Sequence, residues 1–204
     1  MLVFLFSFQA NSMTSGELRN SSRGTLLLGL QPLTTWVPFK KTISYSQILN
    51  SNWSLQLEYS WSSLATPGFL KLGEISEKRY SLMAKRYLGN SFYLDFGAVY
   101  SDIKAQLGSR AMDLLINQNS TRSLEVANWG ALVGLGNRWQ WDNGVTFGVD
   151  WIRMNLPLFT SKNEDNILSN ISSSNSRSQI KSYIDKFNHI PTFVILGVNL
   201  GYTF

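Results

Sequence analysis

Segments in which apolar and polar residues alternate are the feature of this sequence that most constrains its fold. The segment LGVNLGYTF at 196–204 is an example. A β-strand points successive side chains to opposite faces, so such a segment has one apolar face and one small or polar face. Extended back by two residues, the apolar set is Val194, Leu196, Val198, Leu200, Tyr202 and Phe204. The alternation predicts a strand in a half-buried sheet and leaves open which medium covers the apolar face.

Composition excludes several classes of function. The chain has 204 residues, which fits one domain, and it contains no cysteine, which excludes disulfides and thiolate metal sites. His189 is the only histidine, so sites built on two or more histidines are excluded as well. The net charge of +5 comes without a long basic run, and nucleic acid is therefore not an expected partner. No cofactor and no metal ion are predicted.

Three short turn segments each separate two alternating segments. They are NSN at 50–52, GNS at 89–91 and DNG at 142–144. Asn-Gly and similar pairs tolerate positive φ, so each turn predicts a tight antiparallel hairpin, and together they supply six strands. Two further segments, 24–33 and 192–204, bring the total to eight strands. Each is near the ~9–11 residues that a tilted strand needs to cross a bilayer.

The connections at the other ends of these strands are longer. They cover about 62–76, 103–123 and 156–191, with a short one at 34–36. Tight turns at one end and long polar loops at the other are typical of transmembrane β-barrels. In the longest loop, apolar residues recur at helical spacing and predict a short amphipathic helix; they are Ile180, Tyr183, Ile184 and Phe187. The helix is expected to pack on the rim or to act as a lid or partner-binding element.

The N-terminal residues form separate segments. A short apolar run at 2–8 is followed by small residues at Ala10 and Ser12, the spacing that signal peptidase reads, although a positively charged leading region is missing. We interpret 1–12 as a truncated export signal or as a hydrophobic leader, and 13–23 as a polar linker. The barrel is then expected over 24–204.

The two faces of the strands differ in a way that identifies the medium. In a soluble ligand-binding barrel, large apolar residues face inward and charges face outward. Here the polar faces carry charges and glycines, which indicates a narrow polar lumen and an apolar outer surface. The predicted outward set is Leu55, Leu57, Phe92, Leu94, Phe96, Val133, Val145, Phe147, Val149, Val198 and Leu200.

The predicted lumen charges are Glu58, Lys85, Asp95, Arg138 and Asp150, with Arg86 as the alternative to Lys85. Opposite charges buried together should pair, because an isolated buried charge is costly. One interpretation is an ion-pair network that fills the barrel and fixes strand register. The other is a narrow conductance path or gate.

Aromatic residues recur near the ends of the apolar faces. Such residues form girdles at the two interfaces of a membrane. The predicted girdle consists of Trp53, Trp61, Phe92, Trp139, Trp141, Trp151, Tyr202 and Phe204.

The C-terminal GYTF at 201–204, the eight alternating segments, the tight turns and the long opposite loops together resemble the small eight-stranded outer-membrane barrels of Gram-negative bacteria, such as the OmpA transmembrane domain, OmpX and OmpW. The resemblance implies an all-β, up-and-down antiparallel barrel in the outer membrane. It also implies that the terminal strand is read by the barrel-assembly machinery. Asn199 departs from the pattern, since a glycine is often found there.

The functional alternatives follow from the remaining residues. Lipid A-modifying barrel enzymes of this architecture imply a catalytic histidine, and His189 has no neighbouring His-x-Ser arrangement. We therefore expect a non-enzymatic, monomeric barrel with a structural or surface-interaction role. A carrier or narrow pore for small, including apolar, molecules is the second hypothesis, and a lipid A-modifying enzyme is the third. Bases expected on the outer side, where they pair with lipopolysaccharide phosphates or are solvated, are Arg153, Lys162, Arg177, Lys181 and Lys186.

Overall fold

A computed structural model describes residues 13–35, 37–65, 73–107, 122–165 and 190–204. These residues form one short helix and nine assigned strands. The elements are α1 (Ser15–Ser21), β1 (Gly24–Gln31), β2 (Leu33–Thr34), β3 (Lys40–Asn50), β4 (Trp53–Ala65), β5 (Gly73–Tyr87), β6 (Phe92–Leu107), β7 (Arg122–Gln140), β8 (Val145–Asp165) and β9 (Thr192–Thr203).

The strands form a closed antiparallel barrel in the order β1-β3-β4-β5-β6-β7-β8-β9, and β1 closes the barrel against β9. β2 continues the pairing of β1 on β9 in one register, with Leu30 opposite Val198 and Leu33 opposite Ile195. Pro32, which has no N–H to donate, lies between them. β1 and β2 are therefore two parts of one barrel strand, and the predicted eight-stranded barrel is confirmed.

The three predicted hairpins are confirmed. β3 and β4 are joined by 51–52, β5 and β6 by 88–91, and β7 and β8 by 141–144. The C-terminus lies at the same end, since the N–H of Thr203 donates to the carbonyl of Gly144 at 2.7 Å. We call this the turn end and the opposite one the loop end. The predicted loop helix lies outside the described residues.

The strands expose apolar side chains and bury polar ones. Eight of the eleven residues predicted to face outward are exposed, for example Leu57 at 59%, while Val145 and Phe147 are half-buried. Val149 is only 7% exposed, but it lies opposite the exposed Val198 and between the inward-facing Gly148 and Asp150, so it belongs to the outer face. Serine, threonine, glutamine and charged side chains alternate with them on the buried face. The barrel therefore has the apolar-out, polar-in arrangement that the sequence predicts.

The segment 13–23, expected to be a polar linker, contains α1. Thr14 and Glu17 form a capping box at its start. Hydrogen bonds from the N–H and hydroxyl of Thr14 lower the pKa of the Glu17 carboxyl. Within the described residues, no helix has the length and apolar character needed to cross a membrane.

Helix α1 covers the turn end of the barrel through Arg19. Its guanidinium donates to the turn carbonyls of Ser51 at 2.9 Å, Asn90 at 2.8 Å and Gly89 at 3.2 Å. It also lies 3.8 Å from the centre of the Tyr87 ring, a cation–π contact. These tertiary contacts explain why so short and polar a helix forms, since isolated helices of this length are unstable.

Opposite bulges shift the alternation in β8 and β9. The ladder between these strands passes from Asp150–Gly197 to Ile152–Ile195, so it leaves out Trp151 and Leu196. Leu196 has a positive φ of 63°, as a residue in a bulge can have. An extra residue reverses which side chains point inward beyond it.

This reversal makes two predictions wrong. Val194, predicted to face outward, is 1% exposed in the interior. Arg153, expected on the outer side among bases for lipopolysaccharide, is 2% exposed and lies among the lumen carboxylates. Strict alternation from Asp150 would have pointed Arg153 outward, because the two are an odd number of residues apart.

Deleting Trp151 should preserve the facing of Arg153. The deletion removes the extra residue of β8, so Asp150 and Arg153 become two residues apart and both still point into the lumen. We expect the variant to keep the compact form whose gel mobility changes on heating. Deleting Val149 instead places Asp150 directly after Gly148 and turns it toward the apolar surface, which leaves buried cations without this carboxylate and costs about 3–5 kcal/mol. Equal folding of the two deletion variants would contradict the role of Trp151 as the extra residue.

Candidate functional site in the barrel interior

The centre of the interior holds three carboxylates around one guanidinium. Arg153 lies 2.9 Å from Glu58, 3.1 Å from Asp95 and 3.1 Å from Asp150, measured from guanidinium nitrogen to carboxylate oxygen. The carboxylates come from β4, β6 and β8, so one side chain joins three strands across the lumen. All four residues are buried. We call this set, together with Lys85, the central cluster.

Lys85 supplies the second positive charge of the central cluster. Its ammonium lies 3.6 Å from Asp95 and 3.6 Å from Asp150, and 3.8 Å from the centre of the Tyr93 ring. Tyr93 and Asn199 both donate hydrogen bonds to Asp150. Asp150 therefore has four polar partners, which offset the cost of burying its charge.

Glycines make room for the central cluster. A Cβ atom on Gly134 would lie 2.4 Å from a carboxylate oxygen of Asp95, and one on Gly136 would lie 2.6 Å from the Tyr93 hydroxyl. Neither distance is possible for real atoms in contact. These two positions of β7 therefore have to be glycine if the opposite side chains are to reach the lumen axis.

Arg138 lies inside the barrel but apart from the carboxylates. It donates to the hydroxyl of Ser46 at 3.2 Å and to the side-chain oxygen of Gln56 at 2.7 Å. Gln56 in turn donates to Glu58 at 3.2 Å. The structure thus brings Glu58, Lys85, Asp95 and Asp150 together. Arg138 is connected to them through Gln56 and through Tyr93, whose ring centre lies 5.8 Å from the guanidinium carbon.

A second ion cluster lies nearer the loop end. Glu77 accepts from Lys40 at 2.6 Å and from Arg79 at 2.6 Å, and all three are buried. These residues are not among the predicted lumen charges, although a sequence signal for two of them exists. Glu77 and Arg79 share the odd phase of Lys85 along β5, so extending that phase toward the loop end would have found both.

The arrangement of these charges favours packing over transport. An eight-stranded barrel has an interior just wide enough for side chains to fill. Here Arg138, the central cluster and the Lys40–Glu77–Arg79 cluster occupy successive levels, and each carboxylate contacts at least one cation. In the part of the chain that the structure describes, no group of three or more His, Cys, Asp or Glu side chains is placed to hold a metal ion.

The eight aromatic residues predicted as a girdle all lie on the outer surface, exposed or half-buried. They lie at different distances from the turn end of the barrel. Trp53, Phe92, Trp139, Trp141 and Tyr202 lie beside the turn-end hairpins or the last residues of β9, together with Phe204. Trp151 lies in the bulge of β8, where its indole N–H donates to the side-chain oxygen of Asn137 at 2.8 Å. Trp61 lies further toward the loop end.

A second row of aromatic residues was missed by the sequence analysis. Five side chains are directly opposite one another across consecutive strands from β4 to β8, and neighbouring ring centres are 4.9–6.5 Å apart. Trp61 stacks on the first of them at 5.3 Å. Finding the row requires the register of every hairpin, including two bulges between β7 and β8. Its members are Tyr59, Tyr80, Tyr100, Trp129 and Phe159.

Comparison with known proteins finds similarity of structure at low sequence identity. No protein-family profile and no curated protein matches this sequence. The attachment invasion locus protein Ail of Yersinia pestis aligns with 90% of this chain and 99% of its own, with 12% identity and a TM-score of 0.46. Neisserial surface protein A aligns with 89% of this chain and 95% of its own, with 12% identity and a TM-score of 0.43.

Replacing Arg153 should destabilise the barrel more than replacing any exposed arginine. Arg153→Met leaves buried carboxylates without their nearest cation, and we expect the free energy of unfolding to fall by about 3–5 kcal/mol. Urea unfolding of the refolded protein, followed by tryptophan fluorescence, measures the change. Arg86→Met, on the exposed face of β5, is the control. The loss of unfolding free energy in Arg138→Met should lie between the losses in the other two variants, because the hydrogen-bond partners of Arg138 are neutral. Equal midpoints for Arg153→Met and Arg86→Met would contradict this account.

Proposed function

We propose that this protein is an integral, non-enzymatic β-barrel of the bacterial outer membrane with a structural or surface-interaction role. The observation that carries the proposal is the inverted burial of the barrel wall. Leu28, Leu57 and Leu200 are about 60% exposed on the outside, whereas charged side chains such as Glu58 and Arg153 are buried inside. In water this arrangement would be unfavourable, and in a bilayer it is the expected one.

The interior supports a structural role over a pore. A conducting path needs water or mobile ions along the lumen, and this lumen contains paired charges at its centre. The turn end is further covered by α1, with Arg19 bonded to carbonyls of two hairpin turns. The ion pairs are therefore interpreted as interior packing that fixes the register of the strands.

The two ends of the barrel suggest its orientation. Short turns face the periplasm in outer-membrane barrels and long loops face outward. The turn end with Phe204 is therefore proposed to be periplasmic, where the last strand would be read by the barrel-assembly machinery. The long connections would then be exposed at the cell surface, which is the basis for the proposed surface-interaction role.

Lipopolysaccharide is the lipid partner that the outer wall best fits. Lys41 and Lys78 are exposed and lie directly opposite Trp61 on its two sides in the sheet, toward the loop end. Lysines next to an interfacial tryptophan suit a phosphate-bearing lipid head group. Of the bases predicted earlier for this contact, Arg153 is in the interior, Lys162 lies in β8, and the others lie outside the described residues.

The membrane location has a direct test. Expressed with an export signal in a Gram-negative host, the protein should be recovered in the outer-membrane fraction in a heat-modifiable form. Leu57→Arg places a charge in the apolar belt and should reduce stability by about 2–4 kcal/mol in lipid vesicles. Leu57→Ala is the uncharged control. Recovery of folded wild-type protein from the soluble fraction would contradict the proposal.

The lipid A-modifying alternative has its own test. His189 lies outside the described residues, so its surroundings carry no argument. We expect the mass spectrum of lipid A to be the same in cells that express the wild type, His189→Ala or neither. A mass change of one acyl chain that appears with the wild type and disappears in His189→Ala would replace the non-enzymatic proposal.

A further inference from the structure

Three outward side chains lie in one row across neighbouring strands, toward the loop end of the barrel. Lys41 of β3 and Lys78 of β5 are each directly opposite Trp61 of β4. All three side chains are exposed, and the backbones of the two lysines are two strand spacings apart, or about 9.5 Å. We call these residues the lysine–tryptophan row. The row presents two positive charges with an aromatic ring between them.

The two lysines of this row have no carboxylate of their own. Neither takes part in an ion pair among the described residues, whereas the exposed Lys104, further toward the loop end, is paired with Glu125 at 2.7 Å. Asp102 of β6 lies opposite Lys78 without forming an ion pair, and Leu30 of β1 lies opposite the other lysine. The row is therefore bounded by an acid and an apolar residue, and both of its charges can pair with an external anion.

A buried ion pair fixes the spacing of the row from inside the barrel. Lys40 and Glu77, the residues before Lys41 and Lys78, point inward and lie 2.6 Å apart. Neighbouring residues in a strand point to opposite faces, so this pair joins from the lumen the two strands that carry the lysines outside. The backbone positions of the row are thus set before a ligand binds, which lowers the ordering cost of binding.

Trp61 offers a flat apolar surface between the two charges. Its ring stacks on that of Tyr59, with the centres 5.3 Å apart and 19° between the planes, and Trp61 is still 37% exposed. On the turn-end side of the row, the wall continues with the exposed Tyr80 and Leu57. An exposed indole suits the C–H face of a sugar ring, and the wall beside it suits acyl chains.

We propose that the lysine–tryptophan row binds one glycolipid whose disaccharide carries a phosphate at each end, which is the chemistry of lipid A. One phosphate accepts hydrogen bonds from Lys41 and the other from Lys78. A sugar ring packs on Trp61, and the acyl chains lie along the wall toward the turn end. A disaccharide is about as long as two strand spacings, so one molecule contacts both lysines. This inference rests on the membrane location and the lipopolysaccharide contact proposed above, and it adds a one-to-one site that distinguishes two phosphates from one.

Native mass spectrometry of the refolded barrel in detergent tests the proposal, with separate titrations of lipid A, monophosphoryl lipid A and phosphatidylglycerol. We expect one lipid A per barrel, bound at least about tenfold more tightly than monophosphoryl lipid A, which lacks the second charge-assisted contact. Equal affinities for the two glycolipids would overturn the proposal, as would phosphatidylglycerol bound as tightly as lipid A. The titrations involve no cells, so equal affinities for a barrel that is recovered in the outer-membrane fraction refute this site and leave the membrane location standing.

Two variants assign the phosphate contacts. Lys41→Gln and Lys78→Gln should each abolish the preference for lipid A over monophosphoryl lipid A, because either variant keeps one lysine for one phosphate. Both lysines are exposed, so both variants should retain the heat-modifiable form. Arg86→Gln is the matched control, since Arg86 is also exposed and lies 5.7 Å from the ring centre of a tryptophan, Trp53, but at the turn end. It should keep the preference of about tenfold. A preference that survives in both lysine variants places the glycolipid elsewhere on the wall and refutes the assignment.

Discussion

Charge neutralisation inside the barrel is the constraint on which the rest of the structure depends, and Arg153 is its centre. Glu58, Asp95 and Asp150 come from three different strands and meet one guanidinium. A buried carboxylate without a cation is costly, so the three strands have to keep the register that brings them to Arg153. The ion pairs therefore act on strand register as well as on charge.

The backbone irregularities follow from the same constraint. Arg153 and Asp150 both face the lumen because Trp151 is left out of the ladder, and Leu196 is left out opposite it on β9. With a bulge in one strand alone, the alternation of the two strands would fall out of phase beyond it. The paired bulges keep Val194 and Arg153 opposite each other, both directed inward.

How much the sequence predicts depends on whether the signal is local. Alternation and turn residues are local, and they predicted the eight strands and the hairpins at 50–52, 89–91 and 142–144. The predicted orientation of Val194 and Arg153 was wrong, because the bulges produce no local sequence pattern here. Neither Trp151 nor Leu196 is the glycine that often marks a bulge. Helix α1 was missed although Thr14 and Glu17 carry the local signature of a capping box. The contacts that stabilise so short a helix are with turns far along the chain and leave no local pattern.

The interior changes in character from one end of the barrel to the other. At the turn end, Arg19 is bonded to backbone carbonyls, and at the centre Arg153 is surrounded by carboxylates. Beyond them, Arg79 stands beside valine and isoleucine in a cavity. The first two levels are cross-bonded by charged side chains from different strands. They hold the strands in register, because a strand that slipped would leave a buried charge without its partner.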